Sequence, residues 1–174
     1  MIASKQPLKP LINYRMDISI KKYSGIYLLK ATQQLSVSLP EAWNYFATPA
    51  NLQSITPENI GFEITSGNDG EMYPGKLITY QLSIFPLIKN KWVTEITHIA
   101  HQKYFIDEQR KGPYAMWHHE HHFKENAKGI LMTDLVSYKL PMGFAGRLVA
   151  GRLVAKKLNA IFSFRYKTLQ QHFG

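Results

Sequence analysis

Three strand-like segments follow one another in the second half of the chain, with only short connections between them. They are residues 103–110, 115–125 and 130–139. The first connection contains Gly112 and Pro113, and the second ends in Gly129, which suits a positive φ. Both connections therefore predict hairpin turns. The segments are expected to form an antiparallel meander, which commits the chain to a sheet.

Side chains in these strands alternate between two faces. We expect Asp107 opposite His119 and His119 opposite Asp134, with the neighbouring rung made of Phe105, His121 and Met132. One face then carries Phe105, Asp107, Gln109, Trp117, His119, His121, Phe123, Met132, Asp134, Val136 and Tyr138. The other face is polar and should be solvated. Because unpaired buried charge is costly, two Asp and two His on the aromatic face favour a lined cavity over a plain core.

Four earlier segments also have strand-like composition and bring the predicted sheet to seven strands. They are residues 26–37, 61–66, 76–85 and 91–100. The inward alternation is expected to continue through Trp92, Thr94, Ile96 and His98. Residues 1–25 are polar and basic without a sustained period, so they predict an irregular arm before a domain at 26–174.

Helix signals occur at two places. Ser38 followed by Pro40 and Glu41 predicts a short helix, and Thr48 begins a second one that Pro57 ends. Near the C-terminus, residues 145–171 predict one long helix. Its apolar stripe consists of Val154, Leu158, Ile161, Phe162, Arg165 and Leu169.

This order of elements resembles the START-related (SRPBCC) superfamily of polyketide cyclases and lipid-transport proteins, over about residues 26 to 173. The matching motifs are Ile55-Thr56-Pro57, Gly112-Pro113-Tyr114, the alternation Trp117, His119, His121, Phe123, then Met132-Thr133-Asp134, Leu140-Pro141-Met142-Gly143, and Ile161-Phe162 followed by Arg165. The resemblance implies an α+β helix-grip fold, in which a curled antiparallel sheet surrounds the last helix and encloses an apolar cavity. It is similar to a largely uncharacterised ligand-binding branch of bacterial proteins.

Composition sets further limits. At 174 residues the chain predicts one principal domain, and the absence of cysteine excludes disulfides, Cys-ligated zinc and thiol catalysis. No apolar run predicts a membrane span, and a cytoplasmic location is expected. The net charge of +9 would suit an anionic partner, but the basic residues are scattered, so nucleic-acid binding is not favoured.

The His and Asp side chains are the candidates for chemistry. His119, with Asp107 or Asp134, could act as a general acid and base, and His119 and His121 with one of these aspartates could ligate a metal. The segment is not an HExxH zinc motif, because Phe123 stands four residues after His119. We favour a network that orients a ligand, with no bound metal and no cofactor.

Arg165 lies on the apolar stripe of the long helix, where a guanidinium needs a partner. Pairing with Asp107 or Asp134 is favoured over recognition of an anionic ligand. Together with the strand residues above, the predicted cavity wall includes Leu158, Phe162 and Arg165. Three functions follow in order of preference: binding of a small, largely apolar molecule without catalysis, a cyclase or hydratase type of reaction, and an interaction domain with a filled core. The resemblance alone does not decide among them.

Overall fold

The computed structural model describes residues 17–85, 88–141 and 144–174. Eight antiparallel strands form one curled sheet in the order β1-β2-β8-β7-β6-β5-β4-β3. The strands are β1 Asp17–Tyr23, β2 Ile26–Leu35, β3 Glu63–Ser66, β4 Leu77–Phe85, β5 Ile88–Ala100, β6 Tyr104–Lys111, β7 Met116–Asn126 and β8 Gly129–Lys139. The helices are α1 Leu39–Phe46 and α2 Phe144–Phe173, with 3₁₀ helices at Pro49–Leu52 and Glu58–Ile60.

The predicted meander is present as β6, β7 and β8. Asn126 pairs with Gly129, so only two residues form the second loop. Gly129 has φ 111°, and a Cβ there would lie 2.3 Å from the Leu35 carbonyl oxygen, which explains the need for glycine. At the first turn the Gln109 side chain donates to the Tyr114 carbonyl (2.8 Å) and accepts from the Tyr114 N–H. Both turns are therefore fixed by local chemistry.

The expected count of seven strands is wrong, because β1 adds an eighth. β1 pairs along β2 from Asp17 to Tyr23, and the turn between them places Ser24 and Gly25 at positive φ. Ile18 and Ile20 pack against the core from this edge strand. Their short alternation was the only sequence signal for the strand. The remainder of the predicted arm, residues 1–16, lies outside the described residues.

The prediction of two short helices is only partly correct. α1 begins with Pro40 in its first turn, as predicted, although Ser38 forms no side-chain cap. The second predicted helix is a single 3₁₀ turn, and a further 3₁₀ turn ends at Gly61 in the left-handed conformation. Proline fixes φ and removes an N–H donor, which keeps these segments short.

The predicted register is right for one hairpin and wrong for the other. Asp107 pairs with His119, as expected. In the β7–β8 hairpin, however, Val136 lies opposite His119, and Asp134 lies opposite His121. The two-residue loop sets this register. A shift of two positions keeps every side chain on its predicted face, so the inward set survives the error.

His98 is a further correction, because it lies on the outer face. The pairing of β5 with β6 contains a bulge between Ile96 and His98. An extra residue in one strand reverses the alternation beyond it. His98 is consequently exposed, where it contacts the Thr97 hydroxyl, and Ile99 packs against the core in its place.

α2 crosses the inner face of the sheet, as predicted. Val154, Leu158, Phe162 and Leu169 are buried along one side of it. Gly151 allows the helix to come close to β2, since a Cβ there would lie 2.5 Å from the Tyr27 hydroxyl. Within the part of the chain that the structure describes, no helix has the length and apolarity to cross a bilayer.

Candidate functional site

A pocket of about 180 Å³ lies between the inner face of the sheet, α2 and the helical segment that follows β2. Its wall is mainly aliphatic and aromatic, with a few polar groups from β5, β6, β7 and α2. Thr48 is exposed, and Asn51 and Lys157 are half-buried, so the pocket reaches the surface between the first 3₁₀ helix and α2.

Most of the residues predicted for the cavity line this pocket. They are Trp92, Thr94, Ile96, Phe105, Asp107, Trp117, His119, His121, Leu158, Phe162 and Arg165. The other predicted residues do not. Phe123, Met132, Val136 and Tyr138 are packed in the core, Asp134 lies behind the two histidines, Gln109 holds its turn, and His98 faces outward.

Two parts of the pocket wall were not predicted from the sequence. One comes from β4, whose alternating Ile78, Tyr80 and Leu82 face the pocket with the period of two that could have revealed them. The other comes from α1 and the 3₁₀ segments, where short elements have no period to read. Its members are Tyr45, Phe46, Thr48, Pro49, Asn51, Leu52, Ile55, Thr56 and Ile60. Phe62, Met72, Tyr114, Lys157 and Ile161 complete the wall.

Two histidines and two aspartates form a closed cluster at the sheet side of the pocket. His119 Nε2 lies 2.9 Å from Asp134 Oδ1, and its Nδ1 lies 3.5 Å from Asp107 Oδ2. His121 Nε2 lies 3.0 Å from Asp107 Oδ2, and its Nδ1 lies 3.0 Å from Asp134 Oδ1. The last contact lacks hydrogen-bond geometry, so it is an electrostatic approach only. We call these four side chains the His-Asp cluster.

The two histidines have opposite pKa shifts. Burial lowers the pKa of His119, the charge of His121 lowers it further, and the aspartates do not offset these effects. Burial also acts to lower the pKa of His121, but the hydrogen bond to Asp107 and the neighbouring carboxylate of Asp134 outweigh it and raise that pKa. His121 therefore holds the positive charge of the pair, while His119 is neutral.

Both aspartates stay ionised. Burial by itself would raise their pKa values, but hydrogen bonds from the histidines and nearby positive charge lower the pKa of Asp107 and of Asp134 below the ordinary 3.8. A carboxylate can only accept hydrogen bonds. His119 consequently donates from Nε2 to Asp134, and its unprotonated Nδ1 lies on the side of Asp107.

Ring stacking fixes the orientation of the cluster. The rings of His119 and His121 are 3.7 Å apart at their centroids, and Phe105 stacks on His121 at 4.1 Å. Phe162 of α2 approaches His119 edge-on at 6.0 Å. The cluster is thus held by the sheet and covered by the helix, with Asp107, His119 and His121 on the pocket side.

Arg165 does not form the predicted pair with an aspartate. Its side chain is buried, yet its guanidinium makes no ion pair within 4.0 Å among the described residues, and Nε has no hydrogen-bond partner. Its contact is with the ring of Phe162, whose centroid is 5.1 Å away. The positive charge still acts at longer range, since it contributes to the lowered pKa of Asp107.

A second polar group lies on the β4–β5 side of the pocket. The Tyr80 hydroxyl and the Thr94 hydroxyl are 2.8 Å apart, and Trp92 Nε1 donates to Thr94 at 3.0 Å. Burial and the charge of Asp107 raise the pKa of Tyr80, so its hydroxyl remains neutral. The group supplies uncharged hydrogen-bonding capacity in an aromatic wall.

The His-Asp cluster also has a composition that metals accept. Asp107, His119 and His121 each offer one ligand atom, and these three atoms lie within 4.8 Å of one another. A metal would need both imidazoles unprotonated at the ligating atoms. The positive charge of His121, which has a carboxylate at each ring nitrogen, opposes this requirement.

A curled antiparallel sheet that holds a long C-terminal helix over a mainly apolar pocket defines the helix-grip class. No protein-family model matches the chain, and no curated protein matches its sequence. The comparison with solved structures shows that the chain shares the fold of several helix-grip proteins.

Among the similar solved structures is the Zhui aromatase/cyclase from Streptomyces sp. R1128, with a TM-score of 0.64, 12% identity, and coverage of 84% of this chain and 93% of that chain. Ara h 8.0201 has a TM-score of 0.57 at 13% identity, covering 84% and 99%. Protein CV1439 from Chromobacterium violaceum has a TM-score of 0.64 at 10% identity, covering 83% and 95%. At such identities the likeness establishes the fold and leaves the function to the site.

Proposed function

We propose that the protein binds a small, largely apolar molecule in the pocket between the sheet and α2. The observation that carries this proposal is the pocket itself, which has about 180 Å³ of space and a mainly hydrophobic wall. An engineered protein cavity of ~150 Å³ accepts benzene, so this pocket suits a molecule of one or two rings, or a short chain. A filled core, the third function considered, does not agree with this space.

The form of the wall supports a ligand that is oriented as well as enclosed. Trp92 and Trp117 meet edge to face at 5.2 Å and Tyr80 stacks on Trp92, which offers flat aromatic surfaces. The His-Asp cluster and the Tyr80–Thr94 pair supply a few fixed polar groups. A predominantly apolar pocket with a small number of placed polar groups is the usual form of a ligand site.

One observation favours catalysis as the second candidate. His119 lines the pocket and is held by a buried carboxylate at Nε2, which leaves Nδ1 unprotonated, and this is the arrangement of a general base oriented by an aspartate. A cyclase or hydratase type of reaction would use His119 in this way, with Asp107 beside it. We place simple binding first, because the cluster satisfies itself without a substrate.

Native mass spectrometry of protein purified from its own host, followed by organic extraction, tests the proposal. We expect a mass excess of one small molecule, which extraction removes. Ile161→Trp, at the half-buried pocket wall of α2, should reduce the occupied fraction. Leu153→Trp, on an exposed part of the same helix, is the matched control and should retain the ligand. Equal occupancy in both variants would place the ligand elsewhere.

A turnover assay then separates the two candidates. Once the extracted molecule is identified, His119→Ala should weaken its binding if the cluster only orients it. If His119 is a general base, the variant should bind the molecule but lose about 10² to 10⁴ in rate.

A further inference from the structure

We infer that Arg165 binds the carboxylate of an acidic ligand whose remaining part is apolar. This inference rests on the proposed function, and it specifies the class of ligand. It reverses the expectation that Arg165 serves to pair with Asp107 or Asp134.

The buried Nε of Arg165 has no hydrogen-bond partner among the described residues. The residue is only 9% exposed, and its side chain lines the pocket. Burying a cation is expensive unless hydrogen bonds and an opposite charge compensate it. The ring of Phe162 at 5.1 Å compensates only a small part, since a cation–π contact is much weaker than an ion pair with hydrogen bonds.

The carboxylates of Asp107 and Asp134 are already paired with histidines. Asp134 accepts from His119 at 2.9 Å, and Asp107 accepts from His121 at 3.0 Å. No described carboxylate lies within 4.0 Å of Arg165, although both aspartates belong to the same buried region. A guanidinium whose purpose was to neutralise them would contact them directly.

The shape of the Arg165 guanidinium also suits a carboxylate. Phe162 covers one face of the guanidinium, which leaves the edge with its N–H groups for a partner that arrives through the pocket. A guanidinium edge matches a planar carboxylate through two parallel hydrogen bonds. Leu158 and Ile161 precede Arg165 on the pocket side of α2, so the apolar part of the ligand would lie along these side chains.

The experiment compares two probes of the same size, 1-naphthoate and 1-naphthylmethanol, which differ in charge. Binding is followed by the fluorescence of Trp92 and Trp117 in the pocket wall. We expect the wild-type protein to bind the acid more tightly than the alcohol. Arg165→Met should weaken acid binding about 10- to 100-fold, since hydrogen bonds to charged groups contribute about 1.5–3 kcal/mol, and should leave alcohol binding unchanged.

Lys157→Met is the matched control, because Lys157 is a half-buried cation on the same helix at the same pocket. Its effect on acid binding should be severalfold smaller. An equal loss in both variants would show that general positive charge attracts the acid, and it would overturn the assignment to Arg165.

Folding of the variants is checked by thermal melting. Arg165→Met should melt at or above the wild-type temperature, since replacing an unpaired buried charge by an apolar residue is neutral or stabilising.

The outcomes separate this inference from the proposed function. If the alcohol binds and the acid binds no more tightly, the pocket is a ligand site and the role of Arg165 is wrong. If neither probe binds, and the protein from its host carries no small molecule, the proposed function fails and the inference fails with it. A clear loss of stability in Arg165→Met would indicate a structural role and would also overturn the inference.

Discussion

Asp134 Oδ1 lies 2.9 Å from His119 Nε2 and 3.0 Å from His121 Nδ1, so a single buried oxygen anchors both histidines. Asp134 is 6% exposed and itself lies outside the pocket wall. Its carboxylate therefore acts on the pocket through His119, whose ring it orients, and through His121, whose charge it stabilises. If His119 acts as a general base, Asp134 would position it rather than contact the substrate.

Asp134→Asn should destabilise the protein strongly. The amide has nearly the same shape but no charge, so the protonated His121 keeps only Asp107 as its close counter-ion. Removal of one member of a buried ion pair costs about 3–5 kcal/mol. Urea unfolding measures the change in the free energy of unfolding.

Glu108→Gln serves as the control for that variant. Glu108 accepts from His118 at 2.9 Å on the outer face, where both side chains are about one-third exposed. A pair of this kind contributes about 0–1 kcal/mol. Similar losses in Asp134→Asn and Glu108→Gln would mean that the inner cluster is no more important than the surface pair.

Stability should have a maximum near pH 6.5, because the two histidines have opposite pKa shifts. The raised pKa of His121 gives stability below its ordinary value of 6.5 that is lost as the pH rises through the folded value. The lowered pKa of His119 gives stability above 6.5 that is lost as the pH falls through the folded value. The aspartates add a loss below their ordinary value of 3.8.

Urea unfolding of three proteins between about pH 5 and pH 9 checks this. His121→Gln should flatten the alkaline side of the profile, and His119→Gln the acid side above about pH 5. A wild-type profile without a maximum in this range would contradict the assignment of charge to His121.

Two leucines of α2 should differ in their response to truncation. Leu169 is 1% exposed in the core beside α1, whereas Leu158 is 4% exposed but faces the pocket. Leu169→Ala should cost about 2–5 kcal/mol, because it removes contacts on all sides and leaves a cavity. Leu158→Ala should cost less, since space already adjoins it. Equal costs in urea unfolding would mean that the pocket is closed in solution.

The sequence allowed the inner face of the meander to be predicted, because alternation and two turn signals are local properties. The exact pairing of residues between strands was harder to predict. Because the hairpin loop has only two residues, Val136 lies opposite His119, and because of a bulge after Ile96, His98 lies on the outer face. Neither a loop length nor a bulge has a strong signature in alternating sequence, because both depend on pairing with the neighbouring strand.

That Arg165 makes no ion pair with a described residue could not be predicted from the sequence. Sequence spacing placed it on the stripe of α2 that faces the sheet, which the structure confirms. Whether a guanidinium reaches an aspartate depends on a few ångströms of helix position across the sheet. The close approach of α2 to Tyr27 at Gly151 is one of the contacts that set that position.

Added zinc should bind weakly. Asp107, His119 and His121 lie close enough to bind one ion together. Ligation, however, requires His121 to lose a proton, and the carboxylates of Asp107 and Asp134 stabilise its protonated form. We expect the thermal melting temperature to rise by no more than about 1 °C with equimolar zinc at neutral pH. A large rise that His119→Gln abolishes would show a metal site in the cluster.

Binding of an acidic ligand at Arg165 should take up a proton at His119. The charges that act on His119 are those of Asp107, His121 and Asp134, and Arg165 acts in turn on Asp107; the four sum to zero while His119 is neutral. An added carboxylate makes the region negative and raises the pKa of His119, so up to about one proton enters at neutral pH.

Isothermal titration of 1-naphthoate in phosphate and in Tris measures this uptake, because the two buffers release a proton with different enthalpies. The apparent enthalpies should differ for the wild-type protein and agree for His119→Gln. Uptake that persists in His119→Gln would mean that the ligand binds as the neutral acid, and equal wild-type enthalpies would mean that His119 does not respond to the anion.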